Sequence, residues 1–250
     1  MENKRGLNVG IVIFIAVILA AVVLVFVLYK PKSKAVDDNS NTSQTEGSKK
    51  TSNSKIVTIE ELEEHDVSPE SDFIANDWKN NDIAILNYTG NDEIVVIPDT
   101  IKGKKVGMLE SELINTDSNV KAVKFPDTAK EFFRKSEGDC SIFALNENIQ
   151  TVILGDGVDC VPKNLFFRSS VSNVKIGKSV KRIETFAFCG CKNLKEIYIP
   201  ENVEKIDSTA FYEIDNIVIK GKKGSAAEEF VNESKNLEIY KNSNIIFEEI

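Results

Sequence analysis

The sequence predicts an α/β repeat solenoid: a stack of short parallel strands joined by turns and short helices, preceded by one transmembrane helix and a disordered linker. Three observations predict it. Val174-Lys-Ile-Gly-Lys-Ser-Val-Lys-Arg-Ile183, with Ala187-Phe188, returns as Ile197-Tyr-Ile-Pro-Glu-Asn-Val-Glu-Lys-Ile206, with Ala210-Phe211, 23 residues later and with every apolar position superposed. A period of this size marks units too small to bury their own apolar face, which must stack on their neighbours. Val9 to Tyr29 form a run of 21 residues with no charge, enough helix to cross about 30 Å of hydrocarbon. Residues 30–55 are then Ser, Thr, Asn, Lys and Asp almost throughout, a composition that cannot bury enough apolar area to offset chain entropy.

The order of segments follows: a cytoplasmic tail at 1–8, the anchor at 9–29, the linker at 30–55, an N-terminal cap at 56–90, the repeats at 91–220 and a C-terminal cap at 221–250. The anchor is too long for the core of a cleavable signal peptide, and Tyr29-Lys30-Pro31 follows it in place of a small-residue cleavage site. Lys4 and Arg5 precede it while Lys30, Lys32 and Lys34 follow it, so flanking charge does not set the orientation. The short N-terminal tail favours export of the remainder. Gly6-x-x-x-Gly10 and Ala16-x-x-x-Ala20 are spacings that can seat a helix dimer, though small residues are common in anchors. A coiled linker of this length has a typical reach of about 25–30 Å.

Within the repeats the template is apolar-x-apolar-Pro/Gly-x-x-apolar-x-x-apolar, with an aromatic five residues on. The opening triplet has period 2 and reads as a strand with two inward side chains. Pro or Gly ends it, and the apolar positions spaced by three suit an irregular or 3₁₀-like turn. The strand signal recurs at Val95–Pro98, Val123–Pro126, Val152–Gly155, Val174–Gly177, Ile197–Pro200 and, without Pro, Ile217–Ile219. Two units carry insertions, at Lys102–Lys105 and around Lys135–Cys140. Phe132 and Phe143 stand in for the missing template aromatic of the Val123 unit.

Cys189-Gly-Cys-Lys-Asn-Leu-Lys-Glu-Ile-Tyr-Ile-Pro-Glu-Asn-Val-Glu-Lys-Ile-Asp-Ser-Thr-Ala-Phe211 resembles the BspA-type leucine-rich repeats of bacterial surface proteins. Residues 85–101 resemble the unit that opens such arrays, and Gly221–Glu233 the helix that closes them. The resemblance implies a leucine-rich-repeat stack in which each unit is a parallel strand, a turn and a short helix, with Cys191 buried in the turn. It also implies attachment or recognition at a cell surface, without fixing a ligand.

Ahead of the array, Thr58-x-x-Glu61 before Leu62 reads as a capping box opening a short helix to about His65. Phe73, Ile74 and Trp78 are expected to pack over the first strand as a cap.

Composition excludes several function classes. Residues 56–250 hold 23 Lys+Arg (31 less the 8 in residues 1–55) against 35 Asp+Glu (39 less 4), net −12, which argues against nucleic acid and anionic lipid head groups as partners. The single histidine, His65, has no second histidine for a metal site or base pair. There is no G-x-S-x-G elbow, no P-loop and no G-x-G-x-x-G after a strand, and Gly221-Lys-Lys-Gly-Ser reads as a capping turn. No cofactor is expected. Cys189 and Cys191 are too close in sequence for a relaxed mutual bridge. Cys160 falls at a solvent-facing position matched by Arg182 and Lys205, so a bridge to Cys140 is conceivable, and connectivity stays open.

The candidate binding residues are the outward side chains of the strands, Val96, Lys124, Ile153, Lys175, Tyr198 and Val218, with Ala122, Thr151, Asn173 and Glu196 two residues before the central four. Exposed apolar and aromatic groups among lysines suit a protein or glycan contact, although exposed strands favour β-branched residues in any case. The expected function is non-enzymatic: adhesion, or recognition of an extracellular protein or glycan, by a protein held in the lipid bilayer through residues 9–29. A signalling or assembly scaffold acting with another membrane protein is the alternative. An enzyme would need a carboxylate-only mechanism, with two Asp/Glu about 5–10 Å apart in a cleft.

Overall fold

The computed structural model describes residues 55–132 and 140–250. The anchor expected at 9–29 and the linker expected at 30–55, Lys55 apart, lie outside these residues. Among the described residues no helix is long and apolar enough to cross a membrane.

The chain opens with helix α1 (Ile59–Glu63), then strands β1 (Phe73–Asp77) and β2 (Ile83–Tyr88). β3 (Ile94–Val96), β4 (Thr100–Ile101) and β5 (Lys104–Leu109) follow, then β6 (Ala122–Lys124) and β7 (Glu131–Phe132). The later repeats alternate three-residue with two-residue strands: β8 (Thr151–Ile153), β9 (Cys160–Val161), β10 (Asn173–Lys175), β11 (Arg182–Ile183), β12 (Glu196–Tyr198) and β13 (Lys205–Ile206). The longer β14 (Asn216–Gly221), helix α2 (Ala226–Ser234) and β15 (Asn244–Glu249) close the chain.

The three-residue strands form the parallel ladder that the repeat demands. β3, β6, β8 and β10 pair in that order with Val95, Val123, Val152 and Val174 in register, all buried. β12, β14 and β15 form a second parallel sheet. The apolar positions expected in irregular turns instead make a ladder of their own, β9–β11–β13, with Val161, Ile183 and Ile206 aligned. Their backbone groups need partners, and the same residue of the next unit is the nearest.

The short helices implied for each repeat are absent from the described units. After the second strand the chain turns twice through left-handed backbone, at Asn164 and Arg168 and again at Phe186 and Gly190, which breaks α-helix. Gly190 suits this conformation, and a Cβ there would also stand 2.7 Å from Arg168 Cγ. At the strand ends, Gly177 brings the backbones of adjacent units together: a Cβ on it would stand 2.4 Å from the Gly155 carbonyl oxygen.

Behind the ladders runs a phenylalanine spine. Phe125, Phe143, Phe166, Phe188 and Phe211 stack with centroid separations of 5.7, 5.4, 5.2 and 5.1 Å, and Phe230 of α2 tilts onto Phe211 at 5.4 Å. From Phe143 to Phe211 each ring fills the same place in its unit, so adding a unit extends the core by one ring, while Phe125 joins the spine from the end of a strand. A polar ladder accompanies it on the turns. The Asp99 carboxylate accepts from the Asp127 N–H at 2.8 Å, Asp127 from Asp156 at 2.9 Å and Asp156 from Lys178 at 2.8 Å.

Two features of the caps differ from expectation. β1 pairs antiparallel with β2 instead of lying over β3, burying Phe73 against Tyr88 but leaving Ile74 exposed. Beyond α2 the chain adds β15, whose six residues pair parallel with β14.

Candidate binding face

The outward face of the strands consists of two rows running across the sheets. One holds Ala122, Thr151 and Asn173, then Glu196, Val218 and Ile246; the other holds Val96, Lys124, Ile153 and Lys175, then Tyr198, Lys220 and Glu248. Val218 therefore aligns with Glu196, and the counterpart of Tyr198 is Lys220. The apolar triplet Ile217-Val-Ile219 misleads by two residues because the strand extends to Gly221. The shift is even, so Val218 keeps its face.

Half of this face is covered. α1 begins with the expected capping box: Thr58 Oγ1 accepts from the Glu61 N–H at 3.2 Å, and the Glu61 carboxylate accepts from the Thr58 N–H at 3.0 Å. The helix lies over β6, β8 and β10. Leu62 and Val57 are buried in a cluster with Val96, Ala122 and Ile153, and Ile59 and Ile94 are packed at its edge. Val96 and Ile153, expected to face solvent, are only 4% and 5% exposed. The reason is apolar area: Val96, Ala122 and Ile153 make an apolar patch across the two rows, and Leu62 and Val57 of the N-terminal segment bury it.

Polar contacts fix the rim. Thr151 donates its hydroxyl to the Val57 carbonyl, and Ser68 exchanges two hydrogen bonds with the Val96 backbone, at 2.9 and 3.1 Å. Lys175 pairs with Glu63 and holds that carboxyl below its ordinary range. Lys124 is half-buried and adds weaker attraction to the same carboxylate.

The other half is open. Tyr198 and Ile246 are each 48% exposed, and Val218 is partly exposed between them. Lys220 lies opposite Tyr198, 2.8 Å from Glu196 and 3.9 Å from Glu248; its hydrogen bond to Glu196 raises its ammonium above the ordinary value. Sequence reasoning missed Ile246, Lys220 and Glu248. The alternation of β15, with Ile245 inward and Ile246 outward, was the signal available for the first.

The four cysteines are all buried thiols. Cys191 sits in the turn as the resemblance implies, its thiol donating to the Phe166 carbonyl at 2.9 Å, and burial pushes it up to about 12. Cys160 does align with Arg182 and Lys205, but it is buried, not solvent-facing, on the wall of a hollow shared with Trp78, Met108 and Phe132. A second partly exposed aromatic run, Phe167–Phe186–Tyr212, lies on the turns, with centroid separations of 6.5 and 6.4 Å. Arg168 spans it to reach Glu213 at 2.6 Å.

Parallel ladders in register, one spine ring per unit from Phe143 onward and turn residues stacked on their equivalents define a leucine-rich-repeat solenoid. The chain belongs to the BspA type leucine-rich repeat region family, whose model matches residues 110–238 in six copies. No curated protein matches. Among solved structures, a T. pallidum leucine-rich repeat protein is 20% identical, covering 62% of this chain and 71% of that one at a TM-score of 0.45. A leucine-rich cell surface protein from Faecalibacterium prausnitzii is 21% identical, covering 63% and 55% at 0.33. A leucine-rich repeat protein from Bacteroides capillosus is 18% identical, covering 61% and 96% at 0.34.

Proposed function

We propose that this chain is a non-enzymatic binding protein, held in a bacterial membrane through residues 9–29, that displays its solenoid outside the cell for adhesion or for recognition of a protein or glycan. The observation that carries this reading is the open end of the strand face. Tyr198, Val218 and Ile246 form an exposed apolar group ringed by Glu196, Lys220 and Glu248, an anchor within a charged rim. Family membership and the charge-free run at 9–29 support display at a surface.

Two measurements test it. Protease treatment of intact cells is expected to release a fragment starting near residue 56; protection until lysis overturns export and favours the assembly-scaffold reading. The full chain, in detergent, is then screened against extracellular-matrix proteins and a glycan array. Tyr198→Ala is expected to weaken the leading interaction about tenfold or more, as loss of an aromatic anchor does. Unchanged binding by Tyr198→Ala and Ile246→Ala rules out this face.

A further inference from the structure

We infer that the covered half of the strand face is a second, latent binding site, that residues 55–68 occupy it as a pseudo-ligand, and that its true ligand is a short acidic amphipathic helix of a partner protein. It is distinct from the open face formed by Tyr198, Val218 and Ile246, and stands or falls separately from it.

The bound segment displays the recognition chemistry. Leu62 is fully buried among Val96, Ala122 and Ile153, with Val57 beside it, and this cluster is separate from the main core. Thr151 reads a backbone carbonyl of the segment. Lys175 takes the carboxylate that follows the leucine, and Lys124 attracts the same group. An apolar anchor, a hydrogen bond to main chain and a basic rim make up a helix-in-groove site. A glycan offers no leucine-sized apolar anchor for the depression.

The occupant is built to leave. α1 has five residues, far short of the roughly 12–15 at which an isolated helix becomes marginal in water. Its order therefore comes from the face it covers. It is held by Leu62 and Val57, by the Thr151 and Lys175 contacts and by the two hydrogen bonds of Ser68, and it carries Ile56 and Val67 exposed, while the strands beneath are held by their own ladder and by the phenylalanine spine. A partner helix that makes the same contacts over a longer span competes with the latch on equal chemistry and shifts the population to the open form.

The test uses the full chain in detergent and a fluorescein-labelled peptide of residues 55–68. Leu62→Asp expels the plug while leaving the main core intact, and Glu63→Lys opposes Lys175 and Lys124 without touching any core residue. Both variants are expected to bind the peptide at least about tenfold more tightly than wild type, with β-sheet circular dichroism unchanged. A peptide carrying Leu62→Asp is expected to bind neither, and Lys175→Glu in the chain is expected to weaken the wild-type peptide and strengthen one carrying Glu63→Lys. Equal peptide affinity for wild type and both variants, or no binding to the folded Glu63→Lys chain, overturns the proposal.

Discussion

At the scale of single residues, position in the stack decides chemistry more than residue type does. Cys191 occupies the turn site that Ser169 fills one unit earlier, the two side chains lying 3.7 Å apart, and its thiol serves as a hydrogen-bond donor to Phe166. Burial is the main reason its ionisation is pushed up to about 12, and burial raises Cys189 as well, with Glu213 adding to the effect. Since thiolate is the reactive form, neither residue is expected to react with a thiol-specific chromogenic reagent at pH 8 until the protein unfolds. Thiol release measured with and without guanidinium checks this, and fast labelling of either residue in the folded chain contradicts it. The same logic corrects the reading of Cys160. Alignment with Arg182 and Lys205 is real, but Cys160 is buried on the wall of a hollow it shares with Trp78, Met108 and Phe132, and repeat periodicity carries no information about what packs on it from outside.

Elements were legible where their burial is periodic and obscure where they depend on a distant surface. The strands at Val95, Val123, Val152, Val174 and Ile197 followed from period 2 and a terminating Pro or Gly, because those are the positions the stack itself buries. The Thr58–Glu61 capping box marked the start of α1, since capping is a local contest of hydrogen bonds. Its destination was not legible: Leu62 shows one apolar side in any helix of this length, and only the assembled face supplies Val96 and Ile153 as its partners. That docking also sets the pH behaviour of the latch. Glu63 is held below its ordinary range chiefly by the hydrogen bond from Lys175, so its contribution is complete above the usual carboxylate value of about 4.3. It is lost as pH falls through the depressed one. Protection factors for the α1 amides in hydrogen exchange are therefore expected to fall about twofold to fivefold more between pH 6 and pH 3 in wild type than in Glu63→Gln. That range is modest because the pair is exposed and screened. Identical pH profiles in the two proteins would remove Glu63 from the latch.

For the whole molecule, the sequence carried the period and left its boundaries obscure. The chain-end strand β15 escaped because it lies beyond α2 and outside the repeat spacing, although it pairs with β14 over six residues. The consequence of the stack is that stability is local: each unit touches its neighbours, and the spine passes contacts from ring to ring. Phe188 lies mid-spine, 5.2 Å from Phe166 and 5.1 Å from Phe211, so Phe188→Ala opens a cavity shared by three units and is expected to cost about 3–5 kcal/mol. In a globular core that loss would spread over the domain. Here it is expected to concentrate in β10 to β13, with amide protection falling most at Val174, Ile183 and Ile197 and much less at Val95 and Val123, three and two strands up the ladder. Native-state hydrogen exchange on the variant distinguishes the two cases. A uniform drop in protection from β3 to β15 would mean that the ladder unfolds as one unit, and binding at either half of the face would then be felt at the other.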